Sequence, residues 1–104
     1  MRFRASQLAL SCSAAVAFAA VAAHAQTSDP GRNVAASCAS CHGANGVSQP
    51  GMPALAGRSK DELVRKMQDF KSGRVASTIM GQIAKGYSDE QIDLAADFFA
   101  RQKR

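Results

Sequence analysis

The chain has 104 residues, of which 13 are basic and 8 acidic, giving a formal net charge of +5. Only 6% of the residues are aromatic and tryptophan is absent, so the chain can bury a small core and is too short for a multidomain protein. The basic residues are scattered rather than clustered, which argues against nucleic-acid binding. A domain of this size is usually reinforced by disulfides, a metal or a larger bound group.

The first 25 residues have the pattern of a secretory signal peptide. Two arginines precede an apolar run at 8–23, and an A-x-A cleavage site ends at Ala25. We therefore predict that residues 1–25 are removed and that residues 26–104 form one exported domain of 79 residues with a net charge of +3. The apolar run is somewhat short for a bilayer, so we expect no membrane span after cleavage.

The exported domain begins with a predicted helix. Asp29 is a suitable N-cap, and Pro30 suits the first helical position. We expect this helix to run into Cys38. Residues 43–57 follow as an irregular loop, because they contain four glycines and two prolines.

The second predicted helix has both a start and a stop signal. It begins at Ser59, where Glu62 would complete a capping box, and it ends before Gly73. Apolar side chains recur between these signals at the helical spacing, namely Leu63, Met67 and Phe70.

The C-terminal part of the chain is also predicted to be helical. Residues 78–85 have a weak helical pattern, and a third strong helix begins at Ser88. One apolar stripe of that helix consists of Ile92, Ala95, Ala96 and Phe99. No alternating pattern typical of a strand is present, so we predict an all-α domain of three to four short helices with one long loop.

The stretch CASCH, from Cys38 to His42, holds the chemically most informative residues. A structural zinc site needs four ligands, and the exported domain has no other cysteine or histidine. A thioredoxin-like redox pair is expected after a strand in a βαβ unit, which the sequence lacks. A disulfide between Cys38 and Cys41 would close too small a loop to stabilise the fold appreciably.

The spacing C-x-x-C-H is the attachment motif of c-type haem. On a helix it places Cys38 and Cys41 on one face, where each sulfur can form a thioether with a haem vinyl group. His42 can then direct a ring nitrogen to the iron. A haem would also supply the apolar surface that the small core lacks, so we predict one covalently bound haem.

Three methionines of the exported domain are candidates for the second axial ligand. Met67 lies on the apolar stripe of the second helix and is best explained as core packing. Met52 is ten residues past His42, which is enough chain to span a haem. Met80 is 38 residues past His42 and follows a full helix, so the chain can return on the far face of the ring. These observations favour Met80 and leave Met52 open.

The exported domain resembles the small monohaem class I c-type cytochromes over essentially its whole length. Three blocks occur in that family's order: CASCHGANGVS, PALAG and STIMGQIAKGYSDEQIDLAADFFA. The last block is especially similar to the cytochrome subunits of flavocytochrome c sulfide dehydrogenases. The resemblance implies the class I cytochrome c fold, with short helices around one covalently attached haem.

The resemblance also implies roles for individual residues. It makes Cys38 and Cys41 the thioether cysteines, His42 the proximal ligand and Met80 the distal ligand. It makes Pro53 the proline whose carbonyl accepts the ring N–H of His42. Such a bond fixes the tautomer of the imidazole and raises its basicity as a ligand.

Three aromatic residues near the C-terminus are also matched by the resemblance. Phe98 and Phe99 resemble the aromatic pair by which the last helix of this family crosses the first, and their helical spacing independently predicts burial. Tyr87 is either near the haem edge or on the surface.

The function implied by these residues is electron transfer and not catalysis. With His42 and Met80 as ligands, both axial positions of the iron are filled, so no substrate binds there. The partners we expect are a flavoprotein or other periplasmic dehydrogenase of sulfur compounds, such as a sulfide dehydrogenase, and a downstream electron acceptor. Two alternatives are a free periplasmic shuttle to a terminal oxidase and, if Met80 is not a ligand, a haem enzyme or ligand sensor with an open distal site.

Overall fold

A computed structural model describes residues 28–104. The predicted signal peptide and its cleavage site at Ala25 lie outside the described residues. Within the described part the chain forms five helices and no strand, which confirms the predicted all-α class. The helices are α1 (Pro30–Ala35), α2 (Ala39–His42), α3 (Lys60–Ser72), α4 (Met80–Lys85) and α5 (Asp89–Ala100), with one 3₁₀ turn at Ala44–Gly46.

The N-caps of the three longer predicted helices are confirmed. The carboxylate of Asp29 accepts hydrogen bonds from the backbone N–H groups of residues 31 and 32 at the start of α1. Ser88 and Gln91 form a complete capping box at the start of α5. At α3 the hydroxyl of Ser59 accepts from the Glu62 N–H, whereas the Glu62 carboxylate pairs with Arg58 at 2.7 Å instead of closing the box.

The structure has more helical segments than the predicted three to four. The predicted first helix does not continue into Cys38, because a turn at residues 36–38 separates α1 from α2. Cys38 is the N-cap of α2, and the motif residues up to His42 therefore form a helix of their own. Helix α4 begins at Met80, two residues later than the predicted segment 78–85.

The first and last described helices pack closely against each other. A Cβ atom added to Gly31 of α1 would lie 2.5 Å from the carbonyl oxygen of Leu94 and 3.2 Å from Cβ of Phe98 on α5. The guanidinium of Arg32 lies 5.6 Å from the centre of the Phe98 ring, and Arg101 pairs with Asp29 at 3.1 Å. The absence of a side chain at Gly31 thus lets α1 pack directly on α5. Both Phe98 and Phe99 are buried, as predicted.

The long loop is attached to α5 at one residue. The backbone N–H of Gly57 donates to the carbonyl of Phe99 at 2.9 Å. Gly46 in the same loop lies so close to the Phe99 ring that an added Cβ would be 2.7 Å from it, and its φ of +75° favours glycine. The loop is therefore held against the core and lies beside α2. Between residues 28 and 104, no helix is long and apolar enough to cross a membrane.

Candidate haem site

One cavity is lined by four of the five predicted site residues, namely Cys38, Cys41, His42 and Met80, whereas Pro53 lies outside its lining. The cavity lies among α2, α3, α4, α5 and the long loop, and it has about 890 Å³ of empty space including its open mouth. Its chemically distinctive lining residues are Cys38, Cys41, His42, Met52, Met67 and Met80.

His42 is held in place by the loop that follows it. Its ring is buried, and Nδ1 lies 2.7 Å from the carbonyl oxygen of Pro53. Since that carbonyl can only accept, this geometry fits an imidazole with its proton on Nδ1. The backbone carbonyl of His42 also accepts a hydrogen bond from the N–H of Ser48 at 2.8 Å. The loop thus holds the ring through Pro53 and the backbone of His42 through Ser48, and Nε2 is left as the nitrogen with a lone pair.

The two cysteines line the cavity and form no disulfide with each other. Cys38 is half-buried and Cys41 is exposed. Burial raises the pKa of the Cys38 thiol above its usual range, and the neighbouring Ser37 hydroxyl only partly offsets this. Among residues 28–104 no group of three or more His, Cys, Asp and Glu side chains could hold a metal ion by itself.

All three methionines after residue 27 line the same cavity. Met80 is the first residue of α4, Met67 lies on α3, and Met52 belongs to the long loop. Each is half-buried. Met67 is thus part of the cavity wall and not only of the apolar core, which differs from the prediction. Contact with the cavity alone does not distinguish the three sulfurs as ligands.

The remaining wall of the cavity is apolar. Leu55 and Leu63 form one side, and Ile83, Ile92 and Phe99 belong to the others. Such a wall fits a large flat hydrophobic group, because burying apolar surface on both sides is favourable by about 25 cal/mol per Å². The residues present therefore fit a haem, with two thiols for attachment, one oriented imidazole and candidate sulfur ligands.

The sequence left the position of Tyr87 open between the haem edge and the surface, and it gave no indication of the contact between Tyr87 and Ser37 or of the exposure of Ile79. Tyr87 lines the cavity, and its hydroxyl is hydrogen-bonded to the hydroxyl of Ser37. These residues are 50 positions apart, so no local pattern indicates the contact. Ile79 also lines the cavity but is 56% exposed, which leaves an apolar side chain at the mouth.

Comparison with known proteins identifies the family. The sequence profile of cytochrome c matches residues 28–101, which is most of the chain. The chain belongs to the cytochrome c family. This confirms the resemblance to small class I cytochromes and, with the five helices of the structure, the predicted fold class.

The cytochrome is similar in sequence to several known proteins from bacteria, of which three are described below. It is 41% identical over 73 residues to the cytochrome subunit of sulfide dehydrogenase of Chlorobaculum tepidum, covering 70% of this chain and 66% of that protein. It is 42% identical over 69 residues to the thiosulfate dehydrogenase electron acceptor of Stutzerimonas stutzeri, covering 64% of this chain but 32% of that protein. Cytochrome c-553 of Nitratidesulfovibrio vulgaris is 34% identical over 97 residues, with 88% and 92% covered.

Membership of the family establishes the cofactor and the general function. Cytochromes c carry covalently attached haem with an iron that accepts and donates electrons, so this chain is an electron-transfer protein. The predicted cofactor, one haem c, is confirmed at this level, and Cys38 and Cys41 lie in the matched attachment region. The individual residue roles stay predictions.

Proposed function

We propose that the cytochrome is an exported electron carrier whose haem is attached through Cys38 and Cys41 and ligated by His42 and Met80. The haem supplies a one-electron couple at the iron. The chain supplies an apolar cavity that excludes water from the ring, a fixed imidazole and a soft sulfur ligand, which favours the reduced state and raises the potential. The convergence of these side chains in one cavity is the observation that carries this function.

The carbonyl of Pro53 supports the assignment of His42. A hydrogen bond to Nδ1 at 2.7 Å keeps the imidazole in the tautomer that presents Nε2 to a metal. The bond also makes Nε2 a stronger electron-pair donor to a metal, because partial negative charge develops on the ring. We assign Pro53 as the residue that orients the proximal ligand.

The same contact favours Met80 over Met52. Met52 immediately precedes Pro53, whose carbonyl lies against Nδ1, so its segment is tied to the ring nitrogen that is not the proposed iron ligand. A second axial ligand must approach the iron from the face opposite to His42. Met80 begins a helix on a different segment of the cavity wall and matches the block STIMGQIAKGYSDEQI of the class I cytochromes.

Substitution of the methionines tests the ligand assignment. Met80→Ala should abolish the weak long-wavelength sulfur–iron absorption band of the oxidised protein and lower the reduction potential. Met52→Ala and Met67→Ala are matched controls from the same cavity and should retain the band. Loss of the band in Met52→Ala with its retention in Met80→Ala would overturn the assignment. A band that is absent from the wild-type protein would favour the alternative of a haem enzyme or sensor with an open distal site.

Attachment and export are tested by intact mass. We expect protein purified from the periplasm to begin at Gln26 and to have the mass of residues 26–104 plus one haem. The haem should remain bound after acid–acetone extraction, because thioethers are covalent. Cys38→Ser and Cys41→Ser should each weaken this retention. A mass equal to the apoprotein would contradict the proposal.

For the partner we propose a dehydrogenase of a reduced sulfur compound, with the cytochrome as its electron-accepting subunit. Two relatives are named as the cytochrome subunit of sulfide dehydrogenase and as the electron acceptor of thiosulfate dehydrogenase. The resemblance of the last sequence block to the cytochrome subunits of flavocytochrome c sulfide dehydrogenases makes a flavoprotein the expected larger subunit, and a downstream acceptor would receive the electrons.

The surface of the cytochrome fits a lasting complex. Six of its eight acidic side chains lie within 4.0 Å of a cationic group of the same chain, so few carboxylates are left to attract a basic partner. Ile79 offers an exposed apolar contact at the cavity mouth. Permanent interfaces are larger and more apolar than transient ones. We expect a complex with a larger flavoprotein to survive gel filtration at about 0.5 M salt, where exposed charges are screened.

A free shuttle to a terminal oxidase is the second candidate. It is favoured by the nearly full-length match to cytochrome c-553, which covers 92% of that protein, whereas the thiosulfate dehydrogenase relative is covered over 32%. Elution of the cytochrome as a lone monomer at low salt, with electron transfer that slows steeply as salt rises, would favour the shuttle over the subunit.

A further inference from the structure

Tyr87 connects two sides of the haem cavity that are distant in the chain. Its ring lines the cavity, and its hydroxyl is hydrogen-bonded to that of Ser37, which immediately precedes Cys38. Tyr87 itself lies two residues beyond the end of α4, the helix that begins with Met80. The contact therefore joins the segment of the proposed sulfur ligand to the segment of the haem-attachment motif.

The backbone of Tyr87 is also held from α3. The ammonium group of Lys71 donates to the Tyr87 carbonyl at 2.7 Å and to the Asp89 carboxylate at 3.2 Å. The side-chain amide of Gln68 donates to the same carboxylate at 2.9 Å. Residue 87 is thus bonded to the α1–α2 turn through its side chain and to α3 through its carbonyl.

Helix α4 needs such contacts to keep its position. It has six residues, and a helix of that length is not stable in water on its own. At its N-terminus the N–H of Gly81 donates to the hydroxyl of Ser77 at 2.7 Å, but this bond lies within the same segment. Helix α4 packs on α3 and buries Ala84, and the contacts of Tyr87 additionally connect its C-terminal end to the α1–α2 turn.

We propose that Tyr87 is a positioning residue for Met80, acting through its hydrogen bond to Ser37. The role rests on Met80 being the distal ligand, as proposed above. The bond holds the exit of α4 against the α1–α2 turn, so that the helix cannot shift away from the attachment motif. Without it, the state in which the Met80 sulfur has left the iron becomes more populated, while the fold is retained.

Competition with exogenous imidazole measures that population. Imidazole binds the oxidised iron only where the methionine has left, so its apparent affinity is proportional to the fraction of displaced protein. A net hydrogen bond at a solvent-accessible site changes such an equilibrium by about two- to tenfold. We expect Tyr87→Phe, which keeps the ring, and Ser37→Ala to bind imidazole about two- to tenfold more tightly than the wild-type holoprotein.

Two further variants separate positioning from general stability. Tyr87→Phe removes only the bond between the two hydroxyls, whereas Ser37→Ala also removes the bond that the Ser37 hydroxyl donates to the Val34 carbonyl at 3.0 Å. Because the bond between the hydroxyls is lost in both, the double variant should bind imidazole no more tightly than the tighter single variant. Ser59→Ala removes the N-cap of α3 far from Tyr87 and should lower the midpoint of global unfolding without changing the imidazole affinity.

The outcomes are distinct. Unchanged imidazole affinity in Tyr87→Phe and Ser37→Ala would overturn the positioning role, as would an equal increase in Ser59→Ala or additive effects in the double variant. If the sulfur–iron band survives Met80→Ala, the ligand assignment itself is wrong and Tyr87 has no such role. If Met80→Ala removes the band and Tyr87→Phe changes nothing, only the inference about Tyr87 fails.

Discussion

Gly31 allows α1 and α5 to approach closely, and its replacement by alanine should destabilise the cytochrome. The added Cβ would lie 2.5 Å from the main-chain oxygen of Leu94 and 3.2 Å from Cβ of Phe98. Ordinary van der Waals contacts of a Cβ atom lie at 3.4–4 Å. Because the nearest atom belongs to the backbone of α5, no side chain can rotate away, and the two helices must separate by roughly 1 Å.

The cost of that separation exceeds the benefit of alanine. Alanine is favoured over glycine in a helix interior by about 1 kcal/mol at most, and Gly31 is only the second residue of α1, where the gain is smaller. Overpacking of a core typically costs about 1–3 kcal/mol, and a gap of up to about 1 Å removes part of the contact energy of neighbours such as Ala35. We expect a net loss of about 2 kcal/mol, or roughly 8–16 °C in the melting temperature of a domain this size.

Thermal unfolding of the holoprotein, followed by circular dichroism, measures this loss. Gly86→Ala is the matched control, because Gly86 has helical φ and ψ of −77° and −6° and an added Cβ meets only the Ile83 oxygen, at 3.3 Å. That variant should be neutral or slightly stabilised through the unfolded state. A Gly31→Ala protein that melts with the wild type, or a Gly86→Ala protein that loses as much, would refute the steric explanation.

Two further variants test the ion pair of α1 and the cavity wall. The hydrogen bond from Arg101 lowers the pKa of Asp29 below its usual 3.8. The stability that this pair contributes is therefore present above pH 3.8 and is lost as the pH falls through the lowered pKa. Asp29→Asn keeps a capping oxygen but cannot titrate, so acid titrations should show a smaller loss of stability between about pH 5 and 2 than for the wild type. Met67→Ala should lower the unfolding free energy by about 1–3 kcal/mol in urea titrations, which is less than for a fully buried methionine because Met67 is half-buried. An unchanged urea midpoint of unfolding would mean that Met67 does not pack in the cavity.

The parts of the fold that were predictable depend on contacts between neighbouring residues. The caps at Asp29, Ser59 and Ser88 need only a side-chain oxygen and an N–H two or three residues away, so the sequence contains the whole interaction. The break between α1 and α2 has no such signal, since the alanines and serine around residue 37 are compatible with a continuous helix. There the chain turns where α1 packs on α5 and α2 lies against the loop, which are contacts between distant segments.

The two sides of the haem site also differ in whether their residues are neighbours in the sequence or meet only in the fold. The attachment cysteines and His42 are adjacent in sequence, so their spacing alone indicates what they hold. The distal side is built from segments that meet only in the folded chain, and all three methionines reach the cavity. Composition and spacing therefore left Met52 and Met80 open. The contact that supports our proposal of Met80 joins segments across the fold: the carbonyl of Pro53 bonds Nδ1 of His42 and ties the neighbouring Met52 to the proposed proximal ligand.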